Sequence, residues 1–203
     1  RNIPQAHASV KKGEWKRSQF IGTELNQKVL GIIGFGRIGR EVALRANAFG
    51  MRVLAFDPFI SKDMLRQLGV EFVDFEALVK SSDFITLHVP LTEQTKNIIN
   101  EKTFAMMKQG VYIINCARGG LVEEKALYQA IKSGKVRGAA LDVFEKEPPE
   151  KNPLLELDQV IVTPHLGAAT QEAQENVGIS VAQQVADALL ERGIRNAVNL
   201  PSV

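Results

Sequence analysis

One cysteine, Cys116, is all the thiol chemistry this sequence offers, so an internal disulfide is excluded and a reducing compartment, by default the cytoplasm, is expected. Aromatic residues are also sparse, at 6%, with a single tryptophan, Trp15. No apolar run approaches the roughly 18 residues of a membrane span, and the start lacks a charged segment leading into an apolar one. No membrane partner is therefore expected. Charge of one sign is lacking too: 25 basic against 23 acidic residues leave +2, scattered without a stripe, so nucleic acid is not an expected partner. Solenoid repeats and low-complexity tracts are missing, and no metal site is expected.

What is present suits one sizeable domain with a core: 203 residues, 45% hydrophobic and 24% charged. The stretch 1–28, with Pro4, Gly13, Trp15 and Gly22, shows no sustained period and reads as an opening helical turn and a loop, a lead-in. Over 29–198 short apolar runs alternate with amphipathic stretches of helix length. Strands are predicted at Val29–Ile33, Arg52–Phe56, Glu71–Val73, Phe84–His88, Val111–Ile114, Ala139–Leu141 and Val160–Val162. Helices are predicted at Ile38–Phe49, Lys62–Leu68, Phe75–Val79, Glu101–Met106, Glu124–Ser133 and Gln171–Arg192. The last steps by four from Ala173 through Val177, Val181 and Val185 to Leu189, long enough to cover a sheet face, with Gly193 as its stop. Such alternation predicts an α/β fold, a doubly wound parallel sheet of Rossmann type, with ligands beyond the carboxyl ends of the strands. The final residues, 199–203, read as the start of a return to a further domain.

Directly after the first predicted strand stands Gly34-Phe35-Gly36-Arg37-Ile38-Gly39. Three glycines at this spacing are weak evidence alone. Here a strand precedes them, a helix follows, and Asp57 ends the next strand, about 20 positions on, as the dinucleotide fingerprint requires. Gly34 permits the tight turn, Gly36 lets backbone approach a pyrophosphate, and Gly39 lets helix pack on strand. The helix N-terminus offers free N–H groups to phosphate. Arg37 is placed to touch the pyrophosphate. Asp57 would accept hydrogen bonds from both ribose hydroxyls and repel a 2′-phosphate, which favours NAD over NADP.

Three further segments put charged groups at predicted strand ends or in loops. Arg118 follows Asn115-Cys116-Ala117, Glu147 lies in Asp142-Val143-Phe144-Glu145-Lys146-Glu147-Pro148, and His165 lies in Thr163-Pro164-His165-Leu166-Gly167-Ala168. Taken singly, each is as well explained as a surface loop. Together they match the needs of hydride transfer at a hydroxyl carbon: a base, a group that steadies it, and a cation for the acid end of the substrate. His165 suits the base, Glu147 the carboxylate that stabilises its imidazolium, and Arg118 the carboxylate clamp. Cys116 reads as a small buried spacer in preference to an oxidation-sensitive thiol.

In wording, the chain resembles the D-2-hydroxyacid dehydrogenase family over nearly its whole length. The resemblance is carried by Gly34 to Gly39, by His88-Val89-Pro90-Leu91-Thr92 with Thr95 and Ile99-Asn100, by Asn115 to Gly120, by Asp142 to Pro148, and by Pro164 to Ala168. It implies that Arg118, Glu147 and His165 are the catalytic arginine, glutamate and histidine. It implies NAD contacts from Gly34, Gly36, Arg37, Ile38, Gly39, Asp57, His88, Val89, Pro90, Cys116, Ala117, Arg118, Asp142, His165, Gly167 and Ala168, with Asp142 near the nicotinamide carboxamide. Val89 departs from relatives that carry a hydroxyl there. The lead-in Arg1-Asn2-Ile3-Pro4-Gln5-Ala6, Trp15, Phe20 to Leu25, and the wording of Asn115 to Gly120 resemble members that oxidise a phosphorylated hydroxy acid. Glyoxylate or hydroxypyruvate reduction, and an NAD-sensing transcriptional corepressor, share the same motifs and stay open. The resemblance further implies a small hydroxy acid substrate, homodimerisation through this domain, and a substrate domain largely outside this chain, without which turnover would be slow.

Overall fold

The computed structural model describes residues 1–60 and 68–197, in two units that meet in the chain after Pro164. The first opens with α1 (Ile3–Lys11), nine residues long where the sequence suggests a single turn. Pro4 sits in its first turn, where the missing N–H costs nothing. A 3₁₀ turn at Arg17–Phe20 follows. Contacts that fasten this lead-in to the rest of the unit include Thr23 Oγ1, 2.9 Å from the Tyr112 hydroxyl, Gln5 Nε2, which donates to the Asp158 carbonyl at 2.6 Å, and the Gln27 N–H, which donates to the Gly50 carbonyl at 2.9 Å.

Next come β1 (Val29–Ile33), α2 (Arg37–Ala48), β2 (Arg52–Phe56), β3 (Val70–Phe72), α3 (Phe75–Ser81), β4 (Phe84–Leu87) and α4 (Glu101–Met106). Then follow β5 (Val111–Asn115), α5 (Glu124–Lys132), β6 (Val136–Leu141), a 3₁₀ turn at Pro153–Glu156 and β7 (Val160–Val162). Among the described residues the strands form a seven-stranded parallel sheet in the order β3-β2-β1-β4-β5-β6-β7. The expected doubly wound fold is therefore present, and its order reverses between β1 and β4.

Side-chain alternation along β1 feeds two cores. Leu30 and Ile32 join Ala43 and Ala46 of α2, with Phe35, Val53 and Ala55. Ile33 joins the larger cluster built on Leu78, Ile85, Leu87, Ile113, Leu127 and Leu141. Over β1 and β2 helices pack on the sheet from both sides, α2 on one and α3 on the other, so these strands are buried nearly throughout.

Several edges differ from the sequence reading. β3 begins and ends one residue earlier, and β5 includes Asn115. β4 stops at Leu87: His88 N–H still donates to the Ile33 carbonyl at 2.7 Å, but the chain then turns away at Pro90. β6 starts at Val136, because Gly138 and the exposed Arg137 hide a register shift beside Val111 and Tyr112. Helix edges move by up to three residues, the largest difference being the end of the last helix, at Leu189 in place of Arg192. The predicted helix at Lys62–Leu68 lies, apart from Leu68, outside the described residues, as does 199–203.

The second unit holds α6 (Gln171–Leu189), capped where Thr170 Oγ1 accepts the Ala173 N–H at 3.1 Å. None of its residues is buried, and Val177, Val181, Val185 and Leu189 are all exposed. Its stop differs from the sequence reading: Glu191, at φ +56°, takes the left-handed position, with Arg192 N–H on the Asp187 carbonyl at 2.8 Å and Glu191 N–H on that of Ala188 at 3.3 Å. That is a Schellman closure two residues ahead of Gly193. No helix among the described residues is long and apolar enough to cross a membrane.

Candidate cofactor site at the carboxyl edge of the sheet

Because the strands are parallel, every loop that follows one emerges at the same edge. The reversal of order between β1 and β4 opens a crevice there. Gly34 leaves β1 with φ +92°, its N–H on the Phe56 carbonyl at 2.9 Å. A Cβ on Gly34 would stand 2.6 Å from the His88 carbonyl oxygen, so the two strand ends close on each other only through a glycine. A Cβ on Gly39 would stand 2.4 Å from the Gly34 oxygen, which is the close helix approach that the fingerprint anticipates. Gly36 differs, since a Cβ there would meet nothing within 4 Å. Space thus lies open at the N-terminus of α2, where Gly36 is the N-cap and no side chain caps the free N–H groups. Gly36, Arg37 and Ile38 are all exposed at this mouth. A pyrophosphate fits such a cradle.

Asp57 follows β2. Its Oδ2 accepts the Phe35 N–H at 2.8 Å and its Oδ1 the Phe59 N–H at 2.9 Å. The carboxylate therefore braces the glycine-rich loop, a role that spacing alone did not reveal. Each oxygen keeps a second lone pair with which to accept a sugar hydroxyl. Phe35, fully buried, is the other hidden part: it roots the loop in the core.

Beyond β4, His88 is half-buried and its Nε2 lies 3.1 Å from Thr86 Oγ1. Burial holds its imidazole below the ordinary histidine range, so it is neutral at pH 7. Val89 and Pro90 continue along the crevice. Thr95 Oγ1 donates to the Pro90 carbonyl at 2.6 Å and fixes that turn.

The loop after β5 is shaped by Asn115, a buried residue to which the sequence reading gave no separate role. Its Oδ1 accepts the Ala117 N–H at 3.1 Å and its Nδ2 donates to the Arg118 carbonyl at 2.9 Å. An asparagine ahead of small residues is the signal for such a turn. Arg118 is exposed, with Nη1 on the Ala117 carbonyl at 2.6 Å. Cys116 is exposed, not the buried spacer expected, because this turn lifts it from the strand. Although the residue is exposed, its surroundings partly shield the sulfur from water, and this desolvation, and then the Asp142 charge, push its pKa up, so it is a poor thiolate.

After β6 the buried Asp142 donates its N–H to the Asn115 carbonyl at 3.0 Å, and its Oδ1 accepts the Thr163 hydroxyl at 2.5 Å. Gly119 passes so close to the Phe144 carbonyl that a Cβ would stand 1.8 Å from it. Glu147 is exposed, and its Oε1 accepts the Phe144 N–H at 3.1 Å. One sheet edge therefore carries Gly34 to Gly39, Asp57, His88 to Pro90, Cys116 to Arg118, Asp142 and Glu147. His165, Gly167 and Ala168 open the second unit, exposed, with His165 at φ +56° and Ala169 N–H on the Leu166 carbonyl at 2.9 Å. No cluster suited to a metal ion occurs among the described residues.

Residues 1–167 match the family profile of the D-isomer specific 2-hydroxyacid dehydrogenase NAD binding domain, and the chain belongs to that family. Its cofactor is NAD. The chain is 56% identical over its whole length to the D-3-phosphoglycerate dehydrogenase of Methanocaldococcus jannaschii and 55% identical to that of Archaeoglobus fulgidus, spanning 39% of each relative's length. Among solved structures it is similar to the D-lactate dehydrogenase of Aquifex aeolicus complexed with NAD and lactic acid. That likeness has a TM-score of 0.86 at 37% identity and covers 99% of this chain and 66% of that one.

Proposed function

We propose that this chain is the cofactor-binding domain of an enzyme that oxidises D-3-phosphoglycerate to 3-phosphohydroxypyruvate, the first step of L-serine biosynthesis. The likeness to D-3-phosphoglycerate dehydrogenases across the whole chain carries the reading. The lead-in over 1–28 and the domain over 29–198 are parts of a longer, cytoplasmic homodimer. The exposed apolar side chains Trp15 and Ile21 support a partner surface on the lead-in, and the lone Cys116 suits a reducing compartment.

NAD, when bound, supplies the acceptor for the hydride that leaves the hydroxyl carbon. In this assignment α2 and Gly36 receive the pyrophosphate, and Asp57 receives the adenosine ribose and rejects a 2′-phosphate. Arg118 holds the substrate carboxylate through its planar fork. His165 takes the hydroxyl proton as the carbonyl forms, and Glu147 stabilises the imidazolium. In reverse, His165 returns that proton to the carbonyl oxygen. The test is NADH formation by the complete enzyme, with 3-phosphoglycerate set against D-lactate, and NADH consumption with glyoxylate. A kcat/KM highest for 3-phosphoglycerate is expected. Preference for glyoxylate, or binding of NAD without turnover of any hydroxy acid, overturns the reading.

A further inference from the structure

Away from the crevice, two acidic residues far apart in sequence bond each other's backbone. Glu124 Oε1 accepts the Glu145 N–H at 2.7 Å, and Glu145 Oε1 accepts the Glu124 N–H at 3.2 Å. Glu124 Oε2 also accepts from Asn152 Nδ2 at 2.7 Å. Asn152 cannot turn its amide around, because its Oδ1 already accepts the Leu154 N–H at 3.0 Å. Three segments are thereby tied at one point: the start of α5, the loop after β6, and the turn before Pro153.

The chemistry is unusual for a simple tie. Burial, and then the neighbouring Glu145 charge, raise the Glu124 carboxyl above its ordinary range. Two carboxyl groups are thus held together where neutral groups would bond as well. What they fasten is the loop carrying Glu147, two residues beyond Glu145. The same loop is pinned on its other side where the Phe144 carbonyl lies against Gly119, next to Arg118. Phe144 is buried and donates its N–H to Glu147. The backbone on both sides of Phe144 is therefore fixed, and the carboxylate of Glu147 is presented from a rigid base.

We propose that Glu124 is a positioning residue: through its reciprocal bonds with Glu145 and its bond from Asn152, it sets the loop from which Glu147 acts. This rests on the reading of Glu147 as the partner of His165. The test uses the complete enzyme and the pH profile of kcat/KM, whose acidic limb in the oxidation direction reports the base. Glu147→Gln removes the charge that stabilises the imidazolium, so the limb moves to lower pH by about one unit. Glu124→Ala moves it the same way by a smaller amount and lowers kcat about tenfold, with NADH affinity unchanged. Glu145→Ala repeats that effect without opening the Asn152 contact, which covers the case that Glu124→Ala fails to fold. Glu145→Gln keeps the acceptor for the Glu124 N–H and restores both kcat and the limb.

A moved limb in Glu147→Gln beside an unmoved one in Glu124→Ala and Glu145→Ala overturns the positioning role alone. An unmoved limb in Glu147→Gln overturns the base-partner reading, and the positioning role falls with it.

Discussion

At the scale of single residues, the crevice asks different things of groups that a motif treats alike. Gly36 faces open space, whereas Gly39 faces the Gly34 oxygen at 2.4 Å from where a Cβ would lie. Gly36→Ala should therefore fold with an unchanged Tm yet lose most NADH affinity, because the methyl fills the cradle. Gly39→Ala should lose about 1–3 kcal/mol of stability through overpacking against backbone. Thermal melting beside calorimetric NADH titration separates the two, and equal loss of Tm in both would refute the distinction. Asp57 combines both kinds of demand. Asp57→Ala should weaken NADH about tenfold or more, erase the preference over NADPH, and lower stability by about 1–3 kcal/mol as the Phe35 and Phe59 N–H groups lose their acceptor. Unchanged discrimination in that variant would remove Asp57 from ribose recognition. His88 adds a pH dependence. Its pKa is lowered by burial in the folded state, so below its ordinary value of 6.5 the unfolded chain binds the extra proton. Stability should fall as pH drops from 7 toward 5, and His88→Gln should flatten that part of the profile in urea titrations at each pH.

At the scale of elements, the same backbone rules explain what was legible and what was not. The edges of β1, β2 and β7 agree with the sequence reading to the residue, since each holds a short apolar run with polar residues or glycine close at its ends. β6 was shortened because Gly138 and Arg137 break that pattern, although ladder bonds to β5 carry the strand through them. The glycine loop was readable because its tight turn at Gly34 and the close approach of helix to strand at Gly39 demand glycine at those positions. The bracing of that loop by Asp57, the turn made by Asn115, and the Glu124–Glu145 tie were not, because they join segments whose meeting is decided by packing. The end of α6 makes the point in energetic terms. Glu191 occupies a left-handed position that costs an L-residue about 1–2 kcal/mol, where a glycine pays no steric penalty. Glu191→Gly should therefore slow hydrogen exchange of the Glu191 and Arg192 amides, and faster exchange would show that the closure is not strained. A second seam shows a dependence on acid. Asp83 accepts the Val29 N–H at 2.8 Å and pairs with Lys108 at 2.9 Å, linking the amino ends of β1 and β4. Burial works against this carboxylate, but the two donors outweigh it and hold its pKa below the usual 3.8. The contribution is complete above that value and is lost as pH falls through the lowered one.

At the scale of the whole sheet, function follows from where the strand order turns. Reversal between β1 and β4 gathers the free N–H groups of α2, Asp57, and the loops after β4, β5 and β6 at one edge. The opposite edge carries turns such as Gly110 N–H on the Lys135 carbonyl at 2.9 Å, with no part in the crevice. Cofactor should therefore act on one edge of the molecule and leave the other as it was. At a hundredfold excess over its Kd, a ligand that binds only the folded state adds about 2.7 kcal/mol to stability. Hydrogen exchange with and without NADH should slow at residues 34–39, 57–59, 88–90 and 115–118, while 107–110 and 133–136 change only as far as global unfolding carries them. Slowing confined to the amino edge would place the dinucleotide elsewhere and detach the glycine loop from its chemistry. Slowing at the carboxyl edge that vanishes in Gly36→Ala would tie it to the cradle at the start of α2.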